Sequence, residues 1–370
     1  MTLKITNKEL FDRFKKFIEG IKKEDKVAVV HHTDPDGICS GVIAAKTVEK
    51  IRGKKIDLRL NQRGDQLFIL PETAEQLKNL GVNKIIIVDM GVDQRPEQIK
   101  QIEGFCQILI IDHHKIYNDV SSKNTIFIKP QTMFDDPSPA SYCASKLCFD
   151  LCSEVVEISD LDWISAIGVI GDCTFTRWKD FLDDVFKKYS IDKKEDVFST
   201  IPGKTASLIS EVESFSYKKV GEIFDIVYNA EKYDDILNSG LTKFQTQVKS
   251  EIDYWLNHVN DFADIRDEFD FIFYLIKPKF SVKANISTIL SLKNPNKTVI
   301  IAQDMGEEMI GISGRRRDEK VAVNDLLEKA TEKLENASAG GHIPAAGGKI
   351  RRGDLSKFKD NIMEILKQKA

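Results

Sequence analysis

The sequence predicts an α/β protein, in which a doubly wound parallel sheet is joined by a helical linker to a smaller mixed α/β C-terminal domain. Residues 26–30, 84–88 and 107–111 each contain four consecutive apolar residues, mostly β-branched. Such continuous runs are typical of parallel strands that are buried on both faces. Segments of helical character separate the runs, and this alternation of strands and helices specifies a doubly wound sheet.

Acidic and histidine-rich motifs stand at the ends of these and other apolar runs. The four motifs are His32-Thr33-Asp34-Pro35-Asp36-Gly37, Val88-Asp89-Met90-Gly91, Asp112-His113-His114 and Gly171-Asp172. In open α/β sheets, ligands bind in the crevice beyond the carboxyl ends of the strands. We therefore expect the three motifs that follow strands to converge on one crevice.

The side chains of these motifs predict a site for two divalent metal ions. Carboxylate oxygen and imidazole nitrogen suit Mn²⁺ or Mg²⁺, and no thiolate is expected at these positions, which disfavours a cysteine-bound zinc. Clustered carboxylates repel one another unless cations compensate their charge. Two ions about 3.5–4 Å apart, bridged by one carboxylate, activate a water and stabilise both the attacking and the leaving oxygen at phosphorus. The motifs therefore predict hydrolytic phosphoryl chemistry.

Each motif taken alone also has a purely structural interpretation. Asp34-Pro35-Asp36-Gly37 is an ordinary turn sequence, Asp89 is a common type of helix cap, and Gly171-Asp172 is compatible with either role. Only Asp112-His113-His114 directly after an apolar strand is unusual by itself. The conjunction of all four in this order favours the functional interpretation.

These motifs resemble those of the DHH phosphoesterase superfamily, which includes RecJ-like exonucleases, nanoRNases, cyclic-dinucleotide phosphodiesterases and family II pyrophosphatases. The resemblance covers most of the chain. Near the C-terminus, the segments Ile312-Ser313-Gly314-Arg315 and Gly340-Gly341-His342-Ile343-Pro344-Ala345-Ala346-Gly347 are similar to the DHH-associated substrate domain of the nuclease and oligonucleotidase branch. This second similarity separates the chain from the pyrophosphatases.

The resemblance implies a role for particular residues. It implies that one ion is held by His32, Asp34 and Asp89, and the other by Asp36, Asp89, His113 and Asp172, with Asp89 as the bridge. It also implies two catalytic residues, since His114 would face the scissile phosphate and Asp112 would orient the histidines. The first-motif histidine stands two residues before the first aspartate, unlike in the pyrophosphatases, and this favours His32 over His31 as the ligand. The implied substrate-binding residues are Ser313, Arg315, Gly340, Gly341 and His342.

A physical reason supports the C-terminal assignment. Glycines let backbone amides approach a phosphate closely, and a histidine and an arginine complete the charge. Further basic residues stand nearby in the sequence, namely Arg316, Arg317, Lys349, Arg351 and Arg352. Two interpretations of them stay open: they surround the glycine-rich loop, or they form an ordinary solvated face.

The remaining patterns predict the domain organisation. Residues 1–190 are the predicted DHH metal-binding domain, 191–262 a helical linker or insert, and 263–370 the substrate-binding domain. The first domain is expected to open with a helix after the capping box Thr6-Asn7-Lys8-Glu9, with further helices after Gly37 and over 140–152. In the linker, a stripe at helical spacing is interpreted as core and not as a base-stacking surface; it comprises Phe244, Val248, Ile252, Trp255 and Val259. The second domain is expected to have strands over 271–276, 298–301 and 309–312 and helices near 323–334 and 358–366.

Composition bounds the class of protein. A chain of 370 residues that is 42% hydrophobic and 30% charged is long enough for two folded domains. No apolar run approaches the roughly 20 residues that span a bilayer, and we expect a cytoplasmic protein without membrane contact. The six cysteines form no CxxC pair and are expected to be reduced core residues. A net charge of −4 argues against coating duplex DNA but permits a local basic groove for single strands.

The leading functional hypothesis is a manganese-dependent exonuclease that acts on single-stranded DNA or RNA in repair, most similar to the compact RecJ-like proteins of archaea. The first alternative is a nanoRNase, or a phosphoesterase for small nucleotides such as pAp or cyclic dinucleotides. The segment after Asp172, residues 173–178, departs from the nanoRNase pattern and favours the longer substrate. The second alternative is a replication scaffold that hydrolyses nothing. A replication or repair partner, if there is one, is expected at the helical segment 175–261.

Overall fold

The computed structural model describes residues 4–61, 68–136, 138–306 and 308–368. The chain forms two compact units, one comprising Met1–Glu213 with Tyr217–Thr242, and the other Ser214–Ser216 with Lys243–Ala370. The segment 191–262, predicted as a linker or insert, is largely helical, and its residues are divided between the two units.

The first unit is built on a parallel five-stranded sheet with the order β2-β1-β3-β4-β5. The strands are β1 (Val27–His31), β2 (Leu58–Asn61), β3 (Lys84–Val88), β4 (Gln107–Ile111) and β5 (Thr125–Ile128). The three predicted strands are thus confirmed, with β1 displaced by one residue. After β2 the chain returns past β1 to form β3, so the direction of winding reverses between β1 and β3. Ligand crevices of open α/β sheets lie at such a switch point.

Helices cover both faces of this sheet, which makes it doubly wound as predicted. The helices of the first unit are α1 (Lys8–Glu19), α2 (Pro35–Arg52), α3 (Pro71–Asn79), α4 (Pro96–Glu103), α5 (Pro130–Met133), α6 (Ala144–Ser153), α7 (Asp162–Gly171), α8 (Lys179–Lys188), α9 (Ile201–Phe215), α10 (Val220–Asn229) and α11 (Tyr233–Leu237). On one face, α3 and α4 pack on alternate residues of the strands, such as Ile85 and Ile87. On the other face, α2 packs on β1 and β3 and against α6 and α7. The helix cap of α1 differs from the prediction, because Asn7 and not Thr6 accepts the capping hydrogen bond, from the amide of Leu10.

The second unit contains a mixed six-stranded sheet with the order β10-β11-β9-β8-β7-β6. Its strands are β6 (Asp264–Arg266), β7 (Phe271–Ile276), β8 (Thr298–Asp304), β9 (Met309–Arg315), β10 (Ser338–His342) and β11 (Ala345–Arg351), and its helices are α12 (Thr242–Asn257), α13 (Val259–Phe262), α14 (Lys283–Lys293), α15 (Val323–Thr331) and α16 (Leu355–Lys367). The predicted stripe on α12 lies in the core, where Val248, Ile252 and Trp255 pack with Ile272 and Tyr274 of β7. The choice of core over a base-stacking surface is confirmed.

The glycine-rich segment differs from the loop that we expected, since it forms the antiparallel hairpin β10–β11. Gly341 has a backbone φ of +144°, and a Cβ there would lie 2.7 Å from the Cα of Ala346. Glycine therefore permits a close strand pairing that any side chain would obstruct. All six cysteines are free, and five of them are buried, whereas Cys173 is half-buried. Within the described ranges, no helix combines the length and the apolarity needed to cross a bilayer.

Candidate metal centre

The predicted ligands lie where the strands of the first unit end. His32 directly follows β1, Asp89 directly follows β3, and Asp112, His113 and His114 follow β4. Asp89 is only 2% exposed and has a left-handed backbone conformation, with a φ of +57°. Its amide donates to the carbonyl of Ile111, which ties the end of β3 to that of β4. The sheet thereby brings the three motifs to one edge, as the sequence predicted.

One group of donors surrounds the imidazole of His32. Its Nδ1 lies 3.2 Å from Oδ2 of Asp34 and 3.7 Å from Oδ2 of Asp89. Asp34 caps α2, since its other oxygen accepts a 2.8 Å hydrogen bond from the amide of Gly37. Nε2 of His32 is buried and has no hydrogen-bond partner among the described residues. These three side chains form one candidate ion site.

A second group of donors surrounds His113. Its Nε2 lies 3.3 Å from Oδ1 of Asp89 and 3.8 Å from Oδ2 of Asp36. Its Nδ1 lies 3.2 Å from the carbonyl oxygen of Ala140, which can only accept a hydrogen bond, so the geometry assigns the proton to Nδ1 in the neutral ring. This tautomer leaves the lone pair of Nε2 directed at the carboxylates, as in metal-binding histidines. Asp89 therefore presents one oxygen to each group.

Three helices position Asp36 and Asp172. Asp36 lies in the first turn of α2 and accepts hydrogen bonds from the amides of Ala144 (2.7 Å) and Ser145 (2.9 Å) at the start of α6. Asp172 directly follows α7. A Cβ at Gly168, one turn earlier, would lie 2.1 Å from Oγ of Ser145 and 2.9 Å from Oδ1 of Asp36. Glycine thus allows α7 to approach closely enough to present Asp172 to this group.

A cysteine lies beside two of these carboxylates, although the sequence motifs themselves contain none. Cys143 directly precedes α6 and is fully buried. Its Sγ and one carboxylate oxygen from each of Asp36 and Asp172 all lie within 4.8 Å of one another. Burial and the nearby Asp36 and Asp172 carboxylates raise the pKa of this thiol well above its usual value. The sequence motifs missed Cys143 because it follows neither a strand nor an acidic motif.

The crowding of buried carboxylates shifts several pKa values and favours positive charge in the cluster. Burial, together with the charge of Asp89, raises the pKa of Asp36 to about 6. Burial and neighbouring carboxylates also raise the pKa of Asp172. Burial alone would lower the pKa of His113, but Asp172, Asp89 and Asp36 together raise it to about 10. A proton on His113 thus compensates part of the negative charge of the carboxylates. Oxygen and nitrogen donors of this kind also fit divalent metal ions.

A buried network of ion pairs and hydrogen bonds positions the two predicted catalytic residues, Asp112 and His114. Oδ1 of Asp112 lies 2.6 Å from Nδ1 of His114, and its Oδ2 lies 3.0 Å from Nζ of Lys129. Lys129 is fully buried, pairs with Asp93 at 3.0 Å, and donates to the carbonyls of His114 and Lys115 at 3.0 and 2.8 Å. Burial alone would raise the pKa of Asp112, but Lys129 and His114 hold it well below its usual range. The sequence analysis missed Lys129 and Asp93, although a lysine directly after the apolar strand β5 was a usable signal.

His31 and Thr33 support the ligand loop. Nδ1 of His31 donates to the carbonyl of His32 at 2.6 Å, and its ring stacks on Phe224 with centroids 4.9 Å apart. Burial lowers the pKa of His31 to about 3, so the ring is neutral. Thr33 is fully buried and donates a 2.5 Å hydrogen bond to Glu213 of α9. These contacts fix the backbone on both sides of His32.

In the second unit, the predicted substrate residues lie on three adjacent strands. His342, Ala345 and Arg315 are in register across β10, β11 and β9, and Gly340, Gly347 and Ser313 form the next such row. Side chains in one row point to the same face of a sheet. Gly341 lies between the two rows on β10. Ser313 is 3% exposed, and its hydroxyl lies 2.8 Å from that of Ser287 on α14.

The additional arginines have structural partners within the second unit. Arg316 is 4% exposed and donates to Asp318 at 2.6 Å and to Thr298 at 3.1 Å. It therefore belongs neither to a solvated face nor to a ring of free charge around the glycines. The other three pair as follows: Arg317 with Ser291 at 3.0 Å, Arg351 with Glu335 at 2.9 Å, and Arg352 with Asp304 at 2.6 Å.

Comparisons with known families agree with this organisation. The profile described as "DHH family, N-terminal domain" matches residues 26–168, and that of the DHHA1 domain matches residues 276–368. The chain thus contains a DHH-family N-terminal domain and a DHHA1 domain, which are domains of metal-dependent phosphoesterases, and the resemblance seen in the motifs is confirmed. No curated protein sequence matches the chain.

Several solved structures share the fold. A DHH-domain protein described as a member of a family of ribosomal proteins is 18% identical, with a TM-score of 0.71, over 99% of this chain and 93% of that one. RecJ from Thermus thermophilus in complex with Mn²⁺ is 13% identical, with a TM-score of 0.73, over 100% of this chain but only 56% of RecJ. An exonuclease RecJ bound to manganese is 15% identical, with a TM-score of 0.63, over 99% and 96% of the two chains.

We predict that Asp89→Asn abolishes tight Mn²⁺ binding while leaving the protein folded. Asparagine tolerates the left-handed backbone at this position but removes the charge shared by both donor groups. Loss of supporting residues alone weakens metal binding about 10–100-fold, so loss of the shared ligand should weaken it by at least about 100-fold. Calorimetric titration with Mn²⁺ measures this, with the exposed Asp119→Asn as the matched control. Unchanged affinity in Asp89→Asn would remove Asp89 from the site.

Metal binding at pH 7 is predicted to release protons. The pKa of His113 is about 10 in the metal-free protein, so its ring is protonated at pH 7 and must lose a proton from Nε2 to bind an ion. Mn²⁺ affinity should therefore fall as the pH falls. Titrations in two buffers with different ionisation enthalpies count the protons, and we expect about one or more per chain. Binding enthalpies that are the same in both buffers would contradict the protonated state of His113.

Lys129→Met should destabilise the first unit by about 3–5 kcal/mol at pH 7, because it leaves Asp93 and Asp112 buried without their cation. Lys129 holds the pKa of Asp112 below the value that this carboxyl has in the unfolded chain. The stability that the pair contributes is therefore present at pH values above the unfolded pKa and is lost as the pH falls through the folded pKa. The difference from the wild type should therefore shrink below about pH 4. Urea unfolding at several pH values tests this against the exposed Lys123→Met, and an equal effect of both variants would refute it.

Proposed function

We propose that this chain is a two-metal, Mn²⁺-dependent phosphodiesterase that hydrolyses single-stranded nucleic acid as a RecJ-like exonuclease. The observation that carries this proposal is the position of Asp89, whose Oδ2 faces His32 while its Oδ1 faces His113. One carboxylate shared by two donor groups is the arrangement that a pair of ions requires. The fold that the chain shares with an exonuclease RecJ bound to manganese supports the same assignment.

In the proposed site, His32, Asp34 and Asp89 hold one ion, and Asp36, Asp89, His113 and Asp172 hold the other. The ions, when bound, lower the pKa of a water and stabilise the charge that develops on phosphate oxygens. Mn²⁺ is our choice for these oxygen and nitrogen ligands, with Mg²⁺ as the alternative.

His114 and Asp112 are the proposed catalytic residues. Asp112 accepts the Nδ1 proton of His114, which fixes the tautomer and the orientation of the ring. Nε2, the ring nitrogen of His114 that does not face Asp112, is proposed to face the scissile phosphate. Lys129 keeps Asp112 ionised and holds the backbone carbonyl of His114, so the ring is oriented before the substrate arrives.

The proposed substrate contacts in the second unit follow from the sheet register. Arg315 and His342 lie in one row on either side of Ala345. In the next row, the position of a Cβ at Gly347 has only the carbonyl oxygen of Ile312 nearby, at 3.7 Å. Nη1 of Arg315 donates to the carbonyl of Gly314 at 2.9 Å, which restrains its guanidinium at the end of β9. We propose that this surface binds a phosphate of the nucleic acid, with Ser313, Gly340 and Gly341 shaping the backbone around it.

Two alternatives are separated by the same experiments. A nanoRNase or small-nucleotide phosphoesterase would use the same metal ligands on a short substrate. A non-catalytic scaffold is disfavoured because every predicted ligand position holds a competent side chain. The proposed protein partner in replication or repair stays a prediction for the helical segment 175–261.

The decisive assay compares Mn²⁺-dependent cleavage of an end-labelled single-stranded oligonucleotide with that of a labelled dinucleotide. We expect a ladder that starts from one end of the long strand, and no cleavage by Asp89→Asn. Cleavage of the dinucleotide alone would favour the nanoRNase alternative. Cleavage of neither by a protein that is folded would favour the scaffold.

Arg315→Ala is predicted to raise KM with little change in kcat, because it removes a contact made before and during the reaction. A hydrogen bond to a charged group contributes about 1.5–3 kcal/mol, so kcat/KM should fall by about 10–150-fold. Arg351→Ala is the control, since Arg351 lies in the same sheet but pairs with Glu335. A loss in kcat at unchanged KM would refute this role for Arg315.

A further inference from the structure

A thiol lies beside the second of the two proposed ion positions. The Sγ of Cys143 and carboxylate oxygens of Asp36 and Asp172 fall within 4.8 Å of one another, and Cys143 has no exposed surface. Donor atoms about 2.0–2.3 Å from one ion are separated by no more than about 4.6 Å, so donors that all lie within 4.8 Å of one another are placed to share an ion. The motifs did not assign Cys143 to the site, and the proposed reaction does not use it.

We propose that Cys143 is a ligand for a thiophilic divalent ion, Zn²⁺, which it binds together with Asp36 and Asp172 at the second ion position. The inference rests on the proposed function only in that both place an ion between these two carboxylates. It adds that this position takes Zn²⁺ through sulfur, whereas Mn²⁺ uses the oxygen and nitrogen donors alone.

The surroundings of Cys143 distinguish it from the other cysteines. In the described part of the chain, no other cysteine groups with two acidic side chains in this way. Its Sγ lies 3.5 Å from the hydroxyl of Ser145, whose amide in turn donates to Asp36. Because Cys143 directly precedes α6, the helix start that binds Asp36 also holds the thiol in place. The sulfur is therefore fixed beside two hard ligands without any rearrangement of the backbone.

The chemistry of the donors sets the expected selectivity. A coordinating thiol gives up its proton to solvent, and the resulting thiolate prefers Zn²⁺ to Mn²⁺. The general order of divalent affinities also places Zn²⁺ well above Mn²⁺. With Cys143 present, Zn²⁺ should therefore displace Mn²⁺ from the second position. Removal of the sulfur should reduce the difference in binding affinity between Zn²⁺ and Mn²⁺.

The first test uses Co²⁺ as a spectroscopic substitute for Zn²⁺ in the reduced full-length protein. A cobalt–thiolate bond gives a charge-transfer absorption in the near ultraviolet that oxygen and nitrogen ligands do not give. We expect this band in the wild type and in Cys106→Ser, a variant of a buried cysteine at the opposite end of the sheet, and its loss in Cys143→Ser. Co²⁺ binding without the band in the wild type would overturn the proposal.

The second test measures affinities by calorimetry. Serine keeps the size and hydrogen bonding of Cys143 but removes the soft donor. Since outer-sphere substitutions already cost about 10–100-fold in metal affinity, Cys143→Ser should weaken Zn²⁺ binding by at least about tenfold and change Mn²⁺ binding by less than about twofold. Equal effects on both ions, or none on Zn²⁺, would overturn the proposal.

A third measurement needs no variant and therefore does not depend on the folding of Cys143→Ser. X-ray absorption at the zinc edge of the wild-type protein loaded with one equivalent should show one sulfur at about 2.3 Å beside oxygen or nitrogen at about 2.0–2.2 Å. A shell without sulfur would refute the role of Cys143 but would leave the two-metal phosphodiesterase untouched. By contrast, if Mn²⁺ does not bind the wild-type protein, the proposed function is refuted, whether or not Zn²⁺ binds.

Discussion

Mutual repulsion among buried carboxylates is the constraint on which the first unit depends. Asp36, Asp89 and Asp172 converge on His113, and the first two are almost completely buried. Like charges this close raise one another's pKa and would be expelled from an uncompensated interior. Two features of the fold compensate this repulsion: the start of α6 donates hydrogen bonds to Asp36, and the carboxylates keep His113 protonated at neutral pH.

The same logic explains why the positive charge of Lys129 lies behind the site and not in it. Lys129 neutralises Asp112 and Asp93, which are not among the proposed metal ligands. It therefore does not compete with the proposed ions for carboxylate oxygens. It also binds two carbonyls of the chain that follows β4, so its three protons are largely committed. A lysine among Asp36, Asp89 and Asp172 would occupy the position of the proposed ions. Asp112 makes the separation possible, because one of its oxygens faces His114 and the other faces Lys129.

The sequence predicted those parts that depend on local pattern. β3, β4 and β7 begin and end where their apolar runs do, because buried parallel strands need continuous hydrophobicity and little else. The hairpin β10–β11 was not predicted, because glycine has a low strand propensity. Its strand β11 pairs with β9, and the local sequence does not show this pairing. Lys129 and Cys143 were missed for a related reason. The position of Lys129 after an apolar run was a usable signal, but the partners of both residues come from segments that meet only in the folded chain.

Asp36 shows how the site is organised before any ion arrives. Both of its oxygens accept amide hydrogen bonds from the start of α6, which also places Cys143 beside it, while Gly168 admits α7 and with it Asp172. The proposed ligands Asp36 and Asp172 are therefore oriented by helix packing. A ligand that is already fixed loses little entropy on binding, so selectivity is left to the chemistry of the donors. In the proposed arrangement, sulfur is the one donor type that the second position offers and the first lacks.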